Sequence, residues 1–105
     1  MRVGVLLPCR NEARVIERRL SNLARLDWPE CEGDHRLLVV DDHSTDGTAS
    51  LARGAIEAGF APGVRAEVTS NETRPGKNGA IEEGLGFIGG EVDLIVLTDA
   101  DVLVE

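Results

Sequence analysis

Two pairs of carboxylates are where this chain could do chemistry. Asp41 and Asp42 follow the apolar run Leu37-Leu38-Val39-Val40, and Asp99 and Asp101 follow Leu94-Ile95-Val96-Leu97. Alternate residues at an extended strand end point the same way, so Asp99 and Asp101 can face one ion. Mg2+ and Mn2+ prefer oxygen ligands and share them with phosphate and water. That makes Asp99-Ala100-Asp101 the candidate metal pair. A lone carboxylate approaches phosphate poorly, but it accepts hydrogen bonds from a nucleobase imide or a ribose hydroxyl, and Asp42 is the candidate for that role. The plainer reading of Asp as turn former and helix cap suits Ser44 and Asp46 better, since they come later in the turn. Lys77, in Arg74-Pro75-Gly76-Lys77-Asn78-Gly79, leads into a helical pattern. There it is either a diphosphate ligand at a helix N-terminus or a solvated surface lysine.

These residues need a scaffold that brings strand ends together. A continuous apolar run such as Leu37–Val40 suits a strand buried on both faces of a parallel sheet. The chain reads as β-α-β-α-β-α-β. Its predicted strands are Val3–Leu7 (ended by Pro8), Arg36–Val40, Val64–Thr69 and Val92–Leu97. The alternation of Val64, Ala66 and Val68 with Arg65, Glu67 and Thr69 marks the third as a half-exposed edge strand. The first helix is predicted from an Asn11 N-cap. Its apolar positions are Val15, Ile16, Leu20 and Leu23, with Arg14, Glu17, Arg18 and Arg19 on its wet face. The second runs from about Asp46 to Ala58, and the third spans Ala80–Ile88 after a loop over Ser70–Asn78. Glu30–His35 reads as a polar loop. The expected fold is α/β: a three-layer α/β/α arrangement around a mainly parallel four-stranded sheet, with right-handed crossovers. In such sheets ligands sit beyond the carboxyl ends of the strands, where both acid pairs fall.

Composition narrows the function. The formal net charge of −8 argues against nucleic acid as a partner, because phosphate binding needs clustered Lys and Arg. One tryptophan, two phenylalanines and no tyrosine make base stacking a poor candidate for the main activity. Two cysteines, Cys9 and Cys31, are too few for a disulfide framework and point to a reducing, cytoplasmic setting. No stretch approaches the roughly 20 apolar residues of a membrane span. The 105 residues form one domain at most, and a chain stopping just past an acid-tipped strand reads as the front part of a larger domain.

Several pattern matches fail on context. Gly84-Leu-Gly86-Phe-Ile-Gly89 fits a dinucleotide fingerprint literally but ends a helix and precedes a strand. The Asp42–Gly47 turn has Arg53 where a calcium loop needs its bidentate Glu. Cys31 and His35 lack a second close pair for zinc. Asn71-Glu72-Thr73 is a glycosylation sequon, without meaning in a cytoplasmic protein. His43 reads as a turn residue.

Four segments together carry a family resemblance: Pro8-Cys9-Arg10-Asn11-Glu12, Val39–Thr48, Gly76-Lys77-Asn78-Gly79-Ala80, and Thr98-Asp99-Ala100-Asp101. In order and spacing they resemble the family 2 glycosyltransferases, nucleotide-sugar enzymes of the GT-A fold. The resemblance implies a Rossmann-like, nucleotide-diphosphate-sugar-binding half of a GT-A domain over residues 1–105. It also implies roles. The loop Pro8, Arg10, Glu12 lines the nucleotide pocket. Asp42 meets the base, with Asp41 before it, and Lys77 lies near the phosphates. Asp99 faces the ribose and Asp101 the metal, Mg2+ or Mn2+. The implied partner is a UDP- or GDP-sugar, whose sugar passes to an acceptor hydroxyl. The family's catalytic base matches no position here, and the acceptor part is missing, so the chain alone is expected to be inactive. Membrane contact is expected only through downstream segments, and an exposed sheet edge is expected to favour homo-oligomers. Two other classes stay open: a receiver-like α/β regulatory module and a sugar-phosphate nucleotidyltransferase-like unit. The latter normally has a glycine-rich loop after strand one, and Cys9–Glu12 has no glycine.

Overall fold

The structure, a computed structural model, describes residues 1–98. The elements are β1 (Val3–Cys9), α1 (Ile16–Ala24), β2 (His35–Asp41), α2 (Thr48–Glu57), β3 (Val64–Ser70), α3 (Lys77–Ile88) and β4 (Leu94–Leu97). The strands pair in parallel in the order β3-β2-β1-β4. Leu37, Leu38, Val39 and Val40 of β2 are fully buried. Burying each contributes about 1.5–3 kcal/mol, which makes β2 the strand the sheet is built on.

Side-chain alternation splits the core in two. Val5, Leu7, Leu37 and Val39 pack under Ile16, Leu20 and Leu23 of α1 and Ala52 of α2. On the other face Leu6, Leu38 and Val40 pack under Ala80 and Ile88 of α3. The three layers thus follow from one period-two pattern read on both sides. α3 lies close to the sheet because two glycines make room. A Cβ on Gly84 would come within 2.7 Å of Leu6 Cδ2, and one on Gly4 within 2.9 Å of Ile88 Cδ1.

The chain steps outward from β1 through β2 to β3, then α3 carries it back across to β4. Strand order therefore reverses between β1 and β4. At such a reversal the loops leaving the carboxyl ends part to opposite faces and open a crevice.

Four sequence expectations need correcting. β1 does not stop at Pro8, which stands abreast of Val40. Leu6 O accepts from Thr98 N–H on the β4 side, and Cys9 O accepts from Asp42 N–H on the β2 side. The alternation turns Pro8 N toward β4, past the last β4 pair at Leu6, so its missing N–H costs no ladder bond. Asn11 does not cap α1. It sits at φ 52 and its side chain serves another loop, while Val15 holds the N-cap position. Arg19 is not on a wet face but 0% exposed, its guanidinium donating to the Thr98 hydroxyl just past β4. His35 belongs to β2, buried, where Nδ1 accepts Val3 N–H at 2.9 Å and Nε2 meets Pro29 O.

Candidate functional site

The site candidates gather at the carboxyl ends of β1 and β2. Asp41 closes β2 abreast of Cys9 and Ser70, and Asp42 follows it. Both acids are buried. Asp41 Oδ2 accepts Ser44 N–H at 3.2 Å, and Oδ1 takes the Cys9 thiol at 3.9 Å. Burial, then the negative charges of Asp41 and Glu12, pushes the Cys9 thiol up to about 12. Cys9 is therefore a neutral filler beneath the acids and not a nucleophile.

Asp42, 4% exposed, is held from both sides by one loop. Its Oδ1 accepts from Asn71 Nδ2 at 3.0 Å and its Oδ2 from Gly76 N–H at 2.9 Å. Each carboxylate oxygen keeps a further acceptor position. Gly76 stands at φ 101, ψ 170 just ahead of α3, a conformation that needs glycine. The next glycine of that motif, Gly79, has a steric cause: a Cβ there would overlap the Arg74 carbonyl. Lys77 opens α3 one residue beyond Gly76. The helix starts earlier than the predicted Ala80 because Asp42 and Gly76 tie its first turn to β2.

A second set of bonds joins the loop after β1 to the loop after β2. Asn11 N–H donates to Ser44 Oγ at 2.8 Å, and Asn11 Oδ1 accepts Thr45 N–H at 2.8 Å. Glu12 N–H donates to Thr48 Oγ1 at 2.9 Å, and Ala13 N–H to Asp46 Oδ2 at 3.1 Å. Asp46 Oδ1 in turn accepts Thr48 N–H at 3.1 Å. The Thr48 hydroxyl, which also donates to Oδ1, and then the Ala13 N–H hold the Asp46 carboxyl below its ordinary range. His43 (φ 58) makes the left-handed turn between the acids and this latch. The Ser44-Thr45-Asp46-Gly47-Thr48 run, read in sequence as turn chemistry, therefore sets where Pro8, Arg10 and Glu12 stand. Arg10 is exposed and Glu12 half-buried at the rim.

The candidate metal pair, Asp99 and Asp101, lies outside the described residues, as does the ribose role of Asp99. Among the described residues no group of three or more His, Cys, Asp or Glu side chains could hold a metal ion. Among them also, no helix is long and apolar enough to cross a membrane.

Sequence reasoning missed Asn71 and Arg19. Asn71 follows β3 as Asp42 follows β2, so aligned strand ends were the available signal. Arg19 falls on the apolar stripe formed by Ile16, Leu20 and Leu23, a spacing that hinted at burial.

Comparison with known proteins decides the family. The sequence profile of Glycosyl transferase family 2 matches residues 4–105. The chain belongs to that family. The mannosyltransferase from Pyrobaculum calidifontis, solved in complex with GDP-Man and Mn2+, superposes with a TM-score of 0.82 at 35% identity, covering 97% of this chain and 28% of that one. The glucosyl-3-phosphoglycerate synthase from Mycobacterium tuberculosis, solved with Mn2+, UDP and glucosyl-3-phosphoglycerate, superposes at 0.73 with 28% identity, covering 97% and 34%. In sequence, the beta-monoglucosyldiacylglycerol synthase of Nostoc sp. is 34% identical over 101 residues, 95% of this chain and 20% of that protein. The chain thus spans about a fifth of this curated relative's length. The parallel Rossmann-like sheet is the one expected of a GT-A glycosyltransferase. Family membership sets aside the receiver-like and nucleotidyltransferase-like alternatives.

Proposed function

We propose that this chain forms the donor-nucleotide part of a glycosyltransferase that takes a UDP- or GDP-linked sugar and passes the sugar to an acceptor hydroxyl. The observation that carries this reading is Asp42, a buried carboxylate held by two donors just past the carboxyl end of β2. An acceptor so placed suits the N–H edge of uracil or guanine, which presents donors, better than an edge presenting only acceptors. The loop Pro8–Glu12, braced by the Ser44–Thr48 turn, forms the adjoining wall. Lys77, at the start of α3, offers a cation toward the diphosphate. Asp99 and Asp101 are assigned to the ribose and to a divalent cation. Mg2+ or Mn2+, when bound, would offset charge on the departing diphosphate. The structural relatives were solved with GDP-Man and Mn2+ and with UDP and Mn2+, in support of these classes. No described residue is placed as the acceptor's base, and the chain by itself is proposed to bind donor without transferring sugar.

Calorimetric titration with UDP and with GDP, each with and without Mn2+, tests this. Binding heat for one nucleotide, enhanced by Mn2+ and lost in Asp42→Asn, is expected. A folded chain giving no heat with either nucleotide would sink the reading. We propose in addition that β4, the edge strand among the described residues, lets chains self-associate, since Leu94, Val96 and Leu97 are all exposed. Light scattering that shows only monomer at high concentration would refute that part.

A further inference from the structure

We propose that Asn71 is a positioning residue for nucleotide recognition: its carboxamide locks the Asp42 carboxylate and the Arg74–Gly76 turn into one preformed surface. The inference rests on the reading of Asp42 as the nucleotide's acceptor. Asn71 is 1% exposed and sits one residue past β3, whose last residue, Ser70, pairs with Asp41. Its Nδ2 donates to Asp42 Oδ1 at 3.0 Å and to Arg74 O at 2.6 Å, while its Oδ1 accepts Thr73 N–H at 3.1 Å. Its own N–H donates to Asp41 O at 2.9 Å. The amide can point only one way, because flipping it would set oxygen against the Asp42 and Arg74 oxygens and turn its NH2 toward the Thr73 N–H.

The loop that Asn71 starts is itself fixed to α3. Glu72 N–H and the Thr73 hydroxyl both donate to Glu83, at 2.8 and 3.0 Å, and Arg74 pairs with Glu82 at 2.6 Å. The same loop returns through Gly76 to hold the second oxygen of Asp42. Rotating Asp42 therefore breaks two bonds at once, and moving the loop drags Asp42 with it. A recognition group held this way needs no reordering when ligand arrives, and the cost of fixing it is met on folding.

The test is Asn71→Asp, titrated beside the unsubstituted chain with UDP and with GDP in the presence of Mn2+. Near neutral pH the new carboxylate faces Asp42 without a proton to donate, and nucleotide affinity should fall at least about tenfold. Two carboxyls at hydrogen-bond distance readily share a proton. At about pH 5 the introduced carboxyl should then donate its one proton to Asp42, leaving the Arg74 carbonyl unserved, and affinity should recover in part, with no such gain in the unsubstituted chain. The charged groups around the pair are Asp41 on β2, Glu72 and Arg74 in the loop, and Lys77, Glu82 and Glu83 on α3; Cys9 on β1 stays a thiol. If Asn71→Asp does not fold at neutral pH, Asn71→Ser carries the test. A hydroxyl serves one of the two acceptors, so the loss should appear without acid recovery. Unchanged affinity in a folded variant overturns the proposal. A loss in folded Asn71→Asp that acid does not reverse also overturns it, since that marks general damage. If the unsubstituted chain binds neither nucleotide, the reading of Asp42 fails first and takes the inference with it.

Discussion

The rim at the carboxyl end of β2 and the outer side of β4 treat their side chains in opposite ways. At the rim, both acids are buried and their oxygens take donors from the 42–48 turn and the 71–76 loop. At β4, four residues pair with β1 and, among the described residues, with no other strand, and Leu94, Val96 and Leu97 are 48%, 43% and 53% exposed. Leu94 and Val96 share a face with Val3 and Val5, yet neither joins the core beneath α1 and α2. The rim is completed by this chain's own backbone, whereas β4 presents apolar surface of the kind other protein covers. On the proposed reading, the nucleotide's acceptor follows one of the first strands, while the proposed metal pair follows the less supported strand in sequence.

Removing Asp42 should have the largest effect on this contrast. Asp42→Ala strands the Asn71 amide and the Gly76 N–H in a buried place. We expect a loss of about 3 kcal/mol in urea unfolding together with loss of nucleotide binding. An unchanged midpoint would mean that water reaches the rim freely. Gly79→Ala should come next, at about 2 kcal/mol, because the Arg74 carbonyl must move to admit the Cβ. Hydrogen exchange should report faster opening at residues 71–76 and no change in β4.

A smaller effect is expected from acid. The Asp46 carboxyl is held below its ordinary value of 3.8 by Thr48 and Ala13. A depressed folded value means its contribution is present above that pH and fades as pH falls through the folded one. Asp46→Asn should flatten that part of a melting-temperature profile, and a profile of unaltered slope would remove Asp46 from the latch. The smallest effect belongs to the other region. Val96→Lys should change stability by no more than about 0.5 kcal/mol while lowering any concentration-dependent mass in sedimentation. A large destabilisation there would show that β4 is better packed than its exposure indicates.

Much of the scaffold was legible because apolar runs and strand-end acids speak directly. Leu37–Val40 announced a central strand, and the alternation of Val64–Thr69 an edge strand. What stayed hidden depended on partners far away in sequence. Arg19 looked like one of several surface arginines until its bond to Thr98, and Asn71 like a sequon until it met Asp42. Pro8 looked like a stop because the strand that leaves its N free, β4, lies almost ninety residues downstream. Of the candidate site, the acids, the first loop and Lys77 were named from residue type and family pattern. The latch through Thr48 was not, since its partner Glu12 sits across a whole crossover.

The thin seam under α3 has a mechanical side. With Gly84 and Gly4 facing Leu6, Ile88 and Val92 at near-contact distance, a larger residue would act as a wedge between helix and sheet. α3 is about 18 Å long, and its far end carries the anchor for Asp42. A tilt begun at the Ile88 end would therefore arrive, lengthened by the lever arm, at the Asp42 carboxylate proposed to meet the base. Substitutions deep in the hydrophobic layer could retune ligand choice from a distance, without touching any polar group.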